Sequence, residues 1–138
     1  MNRREVLIID DEPIVLRTLK RSLADYDVSV VTTPCTAEAR AMLKHRSFGV
    51  IICDQNMPGE TGLEFLTEIR SHHPEIACFM LSGLVAGLEV AEKWAAEIGV
   101  RQIFSKPCDT QRLAEAIQEA LAEPSSSQNA LETTTGHQ

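Results

Sequence analysis

The chain has 138 residues, 43% apolar, enough for one domain with a full core and too few for a second of comparable size. Its net charge of −7 excludes the usual nucleic-acid-binding surface, where Lys and Arg neutralise phosphates. No apolar run approaches the roughly 20 residues that span a bilayer, and the short opening run MNRREVLIID ends in acids, unlike a secretory signal. The expected setting is therefore the cytoplasm, with no membrane, no nucleic acid through this chain, and a protein or small-molecule partner.

In chain order, Glu5–Ile9 is the first predicted strand, followed by Asp10, Asp11, Glu12 and Pro13. An acid just before a Pro is expected to cap a helix, here from about Pro13 to Tyr26, with Val15, Leu16, Leu19 and Leu23 on one face. Asp27–Thr33 is rich in β-branched residues and predicts a second strand. Thr36 is expected to cap a short second helix with a stripe of Ala37, Ala41 and Met42 or Leu43. Val50, Ile51, Ile52 and Cys53 are apolar at every position, as in a parallel sheet covered on both faces. They deliver Asp54 into a loop broken by Pro58, Gly59 and Gly62. Thr61-x-x-Glu64 predicts a capping box for the third helix, with Leu63, Leu66 and Ile69 or Arg70 continuing its period toward Pro74. The pair His72-His73 before Pro74 reads as that helix's end.

Ile76–Leu81 is a fourth strand ending in Ser82-Gly83, and a helical stripe runs from Leu84 through Leu88, Ala91, Ala95 and Ile98 to Gly99. Val100–Ser105 predicts a fifth strand leading into Lys106-Pro107. Asp109 or Thr110 is expected to cap a last helix that buries Leu113, Ala116, Ile117, Ala120 and Leu121. After about residue 122 the sequence turns polar and Ser/Thr-rich, which predicts a disordered tail or linker stub over 123–138. Cys35, Cys53, Cys78 and Cys108 form no C-x-x-C pair, and the histidines show no ligand spacing, so reduced thiols are expected.

Five strands alternating with five helices predict an α/β fold, a doubly wound parallel sheet. In the flavodoxin-like order 2-1-3-4-5 with right-handed crossovers, the carboxyl ends of strands 1 and 3 flank the switch point where such sheets bind ligands. That brings Asp10, Asp11 and Asp54 together, with Ser82 and Lys106 ending strands 4 and 5. Crowded carboxylates repel, and a set of hard oxygen donors suits Mg²⁺. An Asp can attack phosphorus to give an aspartyl phosphate, while a Lys and a hydroxyl meet the moving charge. Singly, each feature has a plain explanation: a helix cap, an ordinary turn, a solvated loop Lys. Their convergence at one sheet edge points to chemistry.

These residues, over Glu5 to Leu121, resemble the response-regulator receiver domain of two-component signal transduction. The resemblance is carried by Asp10-Asp11, the D-x-x-M-P-G segment Asp54–Gly59 with Gly62, Ser82-Gly83 and Lys106-Pro107. It implies a receiver domain over 1–122 in which Asp54 is the phosphoacceptor. It also implies Mg²⁺ held by Asp11, Asp54 and the backbone carbonyl of Asn56, with Asp10 acting through water. Ser82 would turn toward the phosphoryl group, Lys106 would pair with it, and the Lys106–Pro107 bond would be cis. The implied donor is a sensor histidine kinase or phosphotransfer protein, and the implied target a downstream protein or an output domain missing from this chain. Such a phosphoprotein is a signalling module rather than an enzyme, catalysing only its own phosphorylation and dephosphorylation. Ile103 stands at the switch position that usually holds an aromatic, with Phe104 beside it, and Ser82 stands where Thr is more frequent. Trp94 is read either as part of a partner-binding face or as a partly buried residue at the core rim. The alternatives are a small Mg²⁺-dependent phosphohydrolase with an Asp nucleophile, which would want an acid where Asn56 stands, and a flavodoxin-like cofactor binder, for which the loop after strand 1 is too anionic.

Overall fold

A computed structural model describes residues 5–83 and 88–123. The start expected for the fourth helix at Leu84 and the tail expected after 123 lie outside the described residues. Five strands, β1 (Glu5–Ile9), β2 (Ser29–Thr33), β3 (Val50–Asp54), β4 (Ala77–Ser82) and β5 (Gln102–Ser105), alternate with five helices. These are α1 (Pro13–Leu23), α2 (Thr36–Leu43), α3 (Gly62–His72), α4 (Leu88–Ile98) and α5 (Thr110–Ala122). The strands form one parallel sheet in the order β2-β1-β3-β4-β5, the flavodoxin-like order expected.

β3 is central, and all five of its residues are buried. Its alternate side chains feed two cores. Ile51 and Cys53 join Leu7, Ile9, Leu63, Phe65 and Met80 on one face, while Val50 and Ile52 join Leu16, Leu19, Phe79, Phe104 and Leu113 on the other. Each fully buried aliphatic side chain contributes about 1.5–3 kcal/mol relative to exposure, so strand and helices hold one another in place.

Several helix ends differ from expectation. α1 stops at Leu23, and Glu12 occupies its cap position without a side-chain cap hydrogen bond; the Glu12 N–H instead donates to Asp10 Oδ1 at 2.9 Å. Cys35 rather than Thr36 stands at the cap of α2, because the Thr36 hydroxyl donates to Glu60 at 2.8 Å. The inward residues of α2 are Ala39, Met42 and Leu43, whereas Ala37 and Ala41 are exposed. The capping box of Thr61 and Glu64 is present at α3, and Asp109 caps α5 by accepting from the Gln111 and Arg112 N–H groups. Gly99 follows α4 with φ 98°. Trp94 is 44% exposed, a surface position rather than the core rim.

Candidate functional site

The carboxyl ends of β1, β3, β4 and β5 converge, as the topology requires. Asp10 follows β1 and is wholly buried, Asp54 ends β3 at 1% exposure, and Ser82 ends β4 at 6%. Asp11 is exposed at the rim. One carboxylate oxygen from each of Asp10, Asp11 and Asp54 lies within 4.8 Å of the others. Lys106 reaches in from beyond β5: its Nζ sits 2.8 Å from Asp10 Oδ2, 3.2 Å from Asp54 Oδ1 and 2.9 Å from Glu12 Oε1. The ends of β4 and β5 are tied by the Lys106 N–H donating to the Ser82 carbonyl at 3.1 Å. The Lys106–Pro107 bond is cis, as the resemblance implies.

Local sequence explains how the chain brings these groups so close. The Gln55 N–H donates to the Leu81 carbonyl at 2.8 Å, and the Gln55 carbonyl accepts from the Gly62 N–H at 3.1 Å. The Gln55 side-chain oxygen accepts from the Leu63 N–H at 2.8 Å, serving a free donor in the first turn of α3. Gly62 permits this because a Cβ there would collide with the Asp54 carbonyl oxygen. Asn56 donates its backbone N–H to Asp54 Oδ1 at 3.3 Å.

The electrostatics are crowded. Burial, reinforced by the neighbouring Asp10 charge, raises the Asp54 carboxyl above its ordinary value, with Lys106 pulling the other way. Burial alone would lower the Lys106 ammonium, but Asp10, Glu12 and Asp54 outweigh it and raise the group, so it stays charged. The residues fit a divalent cation of the Mg²⁺ kind. Three hard carboxylates converge, one oxygen of each within 4.8 Å of the others, and among the described residues the one ammonium that faces them, Lys106, is shared among Asp10, Asp54 and Glu12. Three carboxylates around one ammonium leave negative charge in excess, and a cation among them would offset it.

Asp10, Asp11, Asp54 and Lys106 therefore meet at one edge, with Ser82 at the end of the neighbouring β4. Ile103 is half-buried on the core face that takes side chains from α2, α3 and α4. Phe104 is buried on the opposite face, 6.1 Å from the Phe79 ring, so it does not stand in for an aromatic at Ile103. Two participants escaped the sequence reading. Glu12 is a partner of Lys106, and Gln55 anchors the loop after Asp54. An acid beside the acidic pair was the available signal for Glu12; for Gln55 there was none. The four cysteines are free; burial raises the Cys53 thiol and pushes Cys78 up to about 12, which keeps both inert.

The chain matches the model of the response regulator receiver domain over residues 6–118. It is 37% identical over 122 residues to the hydrogenase transcriptional regulatory protein HoxA of Cupriavidus necator, covering 84% of this chain and 24% of that protein. It is 29% identical to the response regulator protein PilR of Pseudomonas aeruginosa, covering 88% of this chain and 27% of that one. The chain thus spans about a quarter of the length of these relatives. Among solved structures it is similar to the receiver domain of NtrX from Brucella abortus, with TM-score 0.77 and 26% identity over 86% of this chain and 99% of that one. A response regulator receiver domain protein from Clostridium thermocellum gives TM-score 0.77 and 29% identity over 92% and 97%.

Proposed function

The chain belongs to the response regulator receiver domain family, and from that premise we propose that Asp54 is the residue on which it accepts a phosphoryl group. The carboxylate attacks phosphorus, the bond to the donor's leaving group breaks, and an aspartyl phosphate results. Lys106, charged and 3.2 Å from Asp54, pairs with the transferring group, and the Ser82 hydroxyl turns toward it. Asp10, Asp11, Asp54 and the Asn56 carbonyl are the residues that would hold Mg²⁺. When bound, that ion supplies positive charge to the transferring oxygens. The observation that carries the reading is the meeting of Asp54, two further carboxylates and one ammonium at the carboxyl edge of the sheet.

The donor in this reading is a sensor histidine kinase or phosphotransfer protein, in the cytoplasm. No helix among the described residues is long and apolar enough to cross a membrane. Any catalysis is confined to the domain's own phosphorylation and dephosphorylation, and the family's signalling role leaves no support for the phosphohydrolase alternative. Phosphorylation biases a two-state equilibrium in which Ser82 and Ile103 carry the change toward α4, β5 and α5. Val90 and Trp94 on α4, 72% and 44% exposed, are apolar groups available there to a downstream protein or an output domain.

The test is incubation with a small phosphodonor and Mg²⁺, followed by detection of an acid-stable, hydroxylamine-labile adduct. Wild type is labelled and Asp54→Asn falls to background. Equal labelling of the variant would refute the assignment.

A further inference from the structure

We propose that Arg40, on α2 and outside the carboxylate cluster, is a positioning residue for divalent-cation binding, acting by holding the loop that carries Asn56. The proposal rests on the reading above that Asn56 and the three aspartates hold the cation.

The loop from Gln55 to Thr61 turns at Pro58 and Gly59, the latter with φ 84°. Its beginning is pinned by Gln55 to β4 and α3. Beyond that point it is held by Met57, half-buried against the core, by the long Asn56 N–H bond to Asp54, by the Glu60 N–H donating to the Pro58 carbonyl at 3.1 Å, by the Thr61 capping box at its end, and by the Glu60 side chain. Glu60 accepts from the Thr36 hydroxyl at 2.8 Å and from Arg40 Nη2 at 2.6 Å, both on α2. Arg40 is itself braced independently of the loop. It forks onto Glu68 of α3, with Nε 3.0 Å from Oε2 and Nη2 2.7 Å from Oε1. Its guanidinium also lies 5.0 Å from the centroid of the buried Phe65 ring. A planar fork held on two sides loses little further freedom in clamping a third group. The loop is thus fastened to a rigid α2–α3 pair, and a ligand whose orientation is set by such an outer contact owes it part of its affinity.

Field and position predict opposite signs for Arg40. If the residue acted only through its charge, replacing it by a neutral residue would tighten cation binding, because a positive charge is removed. If it acts by position, the same replacement weakens binding. The experiment is calorimetric titration of the full chain with Mg²⁺. Arg40→Met keeps the stem over Phe65 and is expected to weaken affinity roughly 10-fold. Glu60→Gln, which weakens the same tie from the loop side, lowers affinity in the same direction, and the double variant loses little more than either alone, whereas pure field effects of opposite sign would cancel in it. Glu68→Gln removes the α3 brace without touching the loop and leaves affinity within about 2-fold. At saturating Mg²⁺, phosphodonor labelling of Arg40→Met returns to the wild-type rate. Unchanged or tighter binding by Arg40→Met, or wild-type affinity in Glu60→Gln should Arg40→Met fail to fold, overturns the proposal. Asp11→Asn separates the two readings: if it binds Mg²⁺ as wild type does, the cation site itself is wrong, and if it alone loses binding, only the positioning role fails.

Discussion

Two charge clusters border the same loop and are built on opposite terms. At its start, Asp54 is buried beside Asp10, and its carboxyl is raised by burial and like charge. Near its end, Glu60 shares Arg40 with Glu68. There the hydrogen bonds to Arg40 lower both carboxyls, and those same bonds raise the guanidinium. The first cluster has three converging carboxylates, and the ammonium facing them is shared with Glu12 as well. The second is half-exposed and every charge in it has a partner. Charges arranged for stability are satisfied where they stand. Those arranged for chemistry outnumber the counter-charge beside them, so that a bound ion or group completes them.

The largest expected effect follows from breaking the first cluster. Lys106→Met keeps the stem and removes the ammonium, leaving Asp10 and Asp54 buried face to face. Removing one partner of a buried ion pair costs about 3 kcal/mol or more at neutral pH. Urea denaturation in the presence of a chelator should show that loss, and added Mg²⁺ should restore part of it by binding the folded state. A variant as stable as wild type without divalent ions would mean that the carboxylates do not strain the fold.

Breaking the second cluster costs less. Its side chains are between 28% and 40% exposed, and pairs so placed are discounted by solvent to at most about 1 kcal/mol each. Glu60→Gln should cost about 1 kcal/mol and Glu68→Gln about half of that, with both penalties shrinking as salt is raised. Penalties that ignore salt would mean the network acts through packing instead.

The two clusters also differ in how far the sequence discloses them. Asp54 and Ser82 could be found because apolar strands end at them, Lys106 because it follows the more polar β5, and the strand order gathers those ends. The buried pattern of β3 and the Thr61–Glu64 box are local signals, and both hold. The Arg40 network is not local. Its partners lie 20 and 28 residues away on separate elements, and AEARAML reads as a helix with a solvated Arg. Which residue of a half-exposed helix meets which carboxylate depends on how α2 docks beside α3, and no periodicity records that. Thr36 misleads for the same reason, since its hydroxyl leaves the expected capping role for Glu60.

The smallest effect is the most discriminating, because its sign differs between the clusters. Asp54 holds its proton more tightly folded than unfolded. Its contribution to stability is therefore present below its ordinary value of 3.8 and is lost as pH rises through the raised one. Glu60 and Glu68 run the other way: their contribution is present above the ordinary value of 4.5 and is lost as pH falls through the lowered ones. Because Lys106 cancels part of the repulsion at Asp54, the Asp54 effect is modest. Urea midpoints across the acid to neutral range, at low salt and without divalent ions, would give two difference curves. The stability of wild type minus Asp54→Asn should fall as pH rises, and that of wild type minus Glu68→Gln should rise over the same interval. Slopes of the same sign would mean that Lys106 compensates Asp54 in full, making the carboxylate edge as satisfied as the Arg40 network.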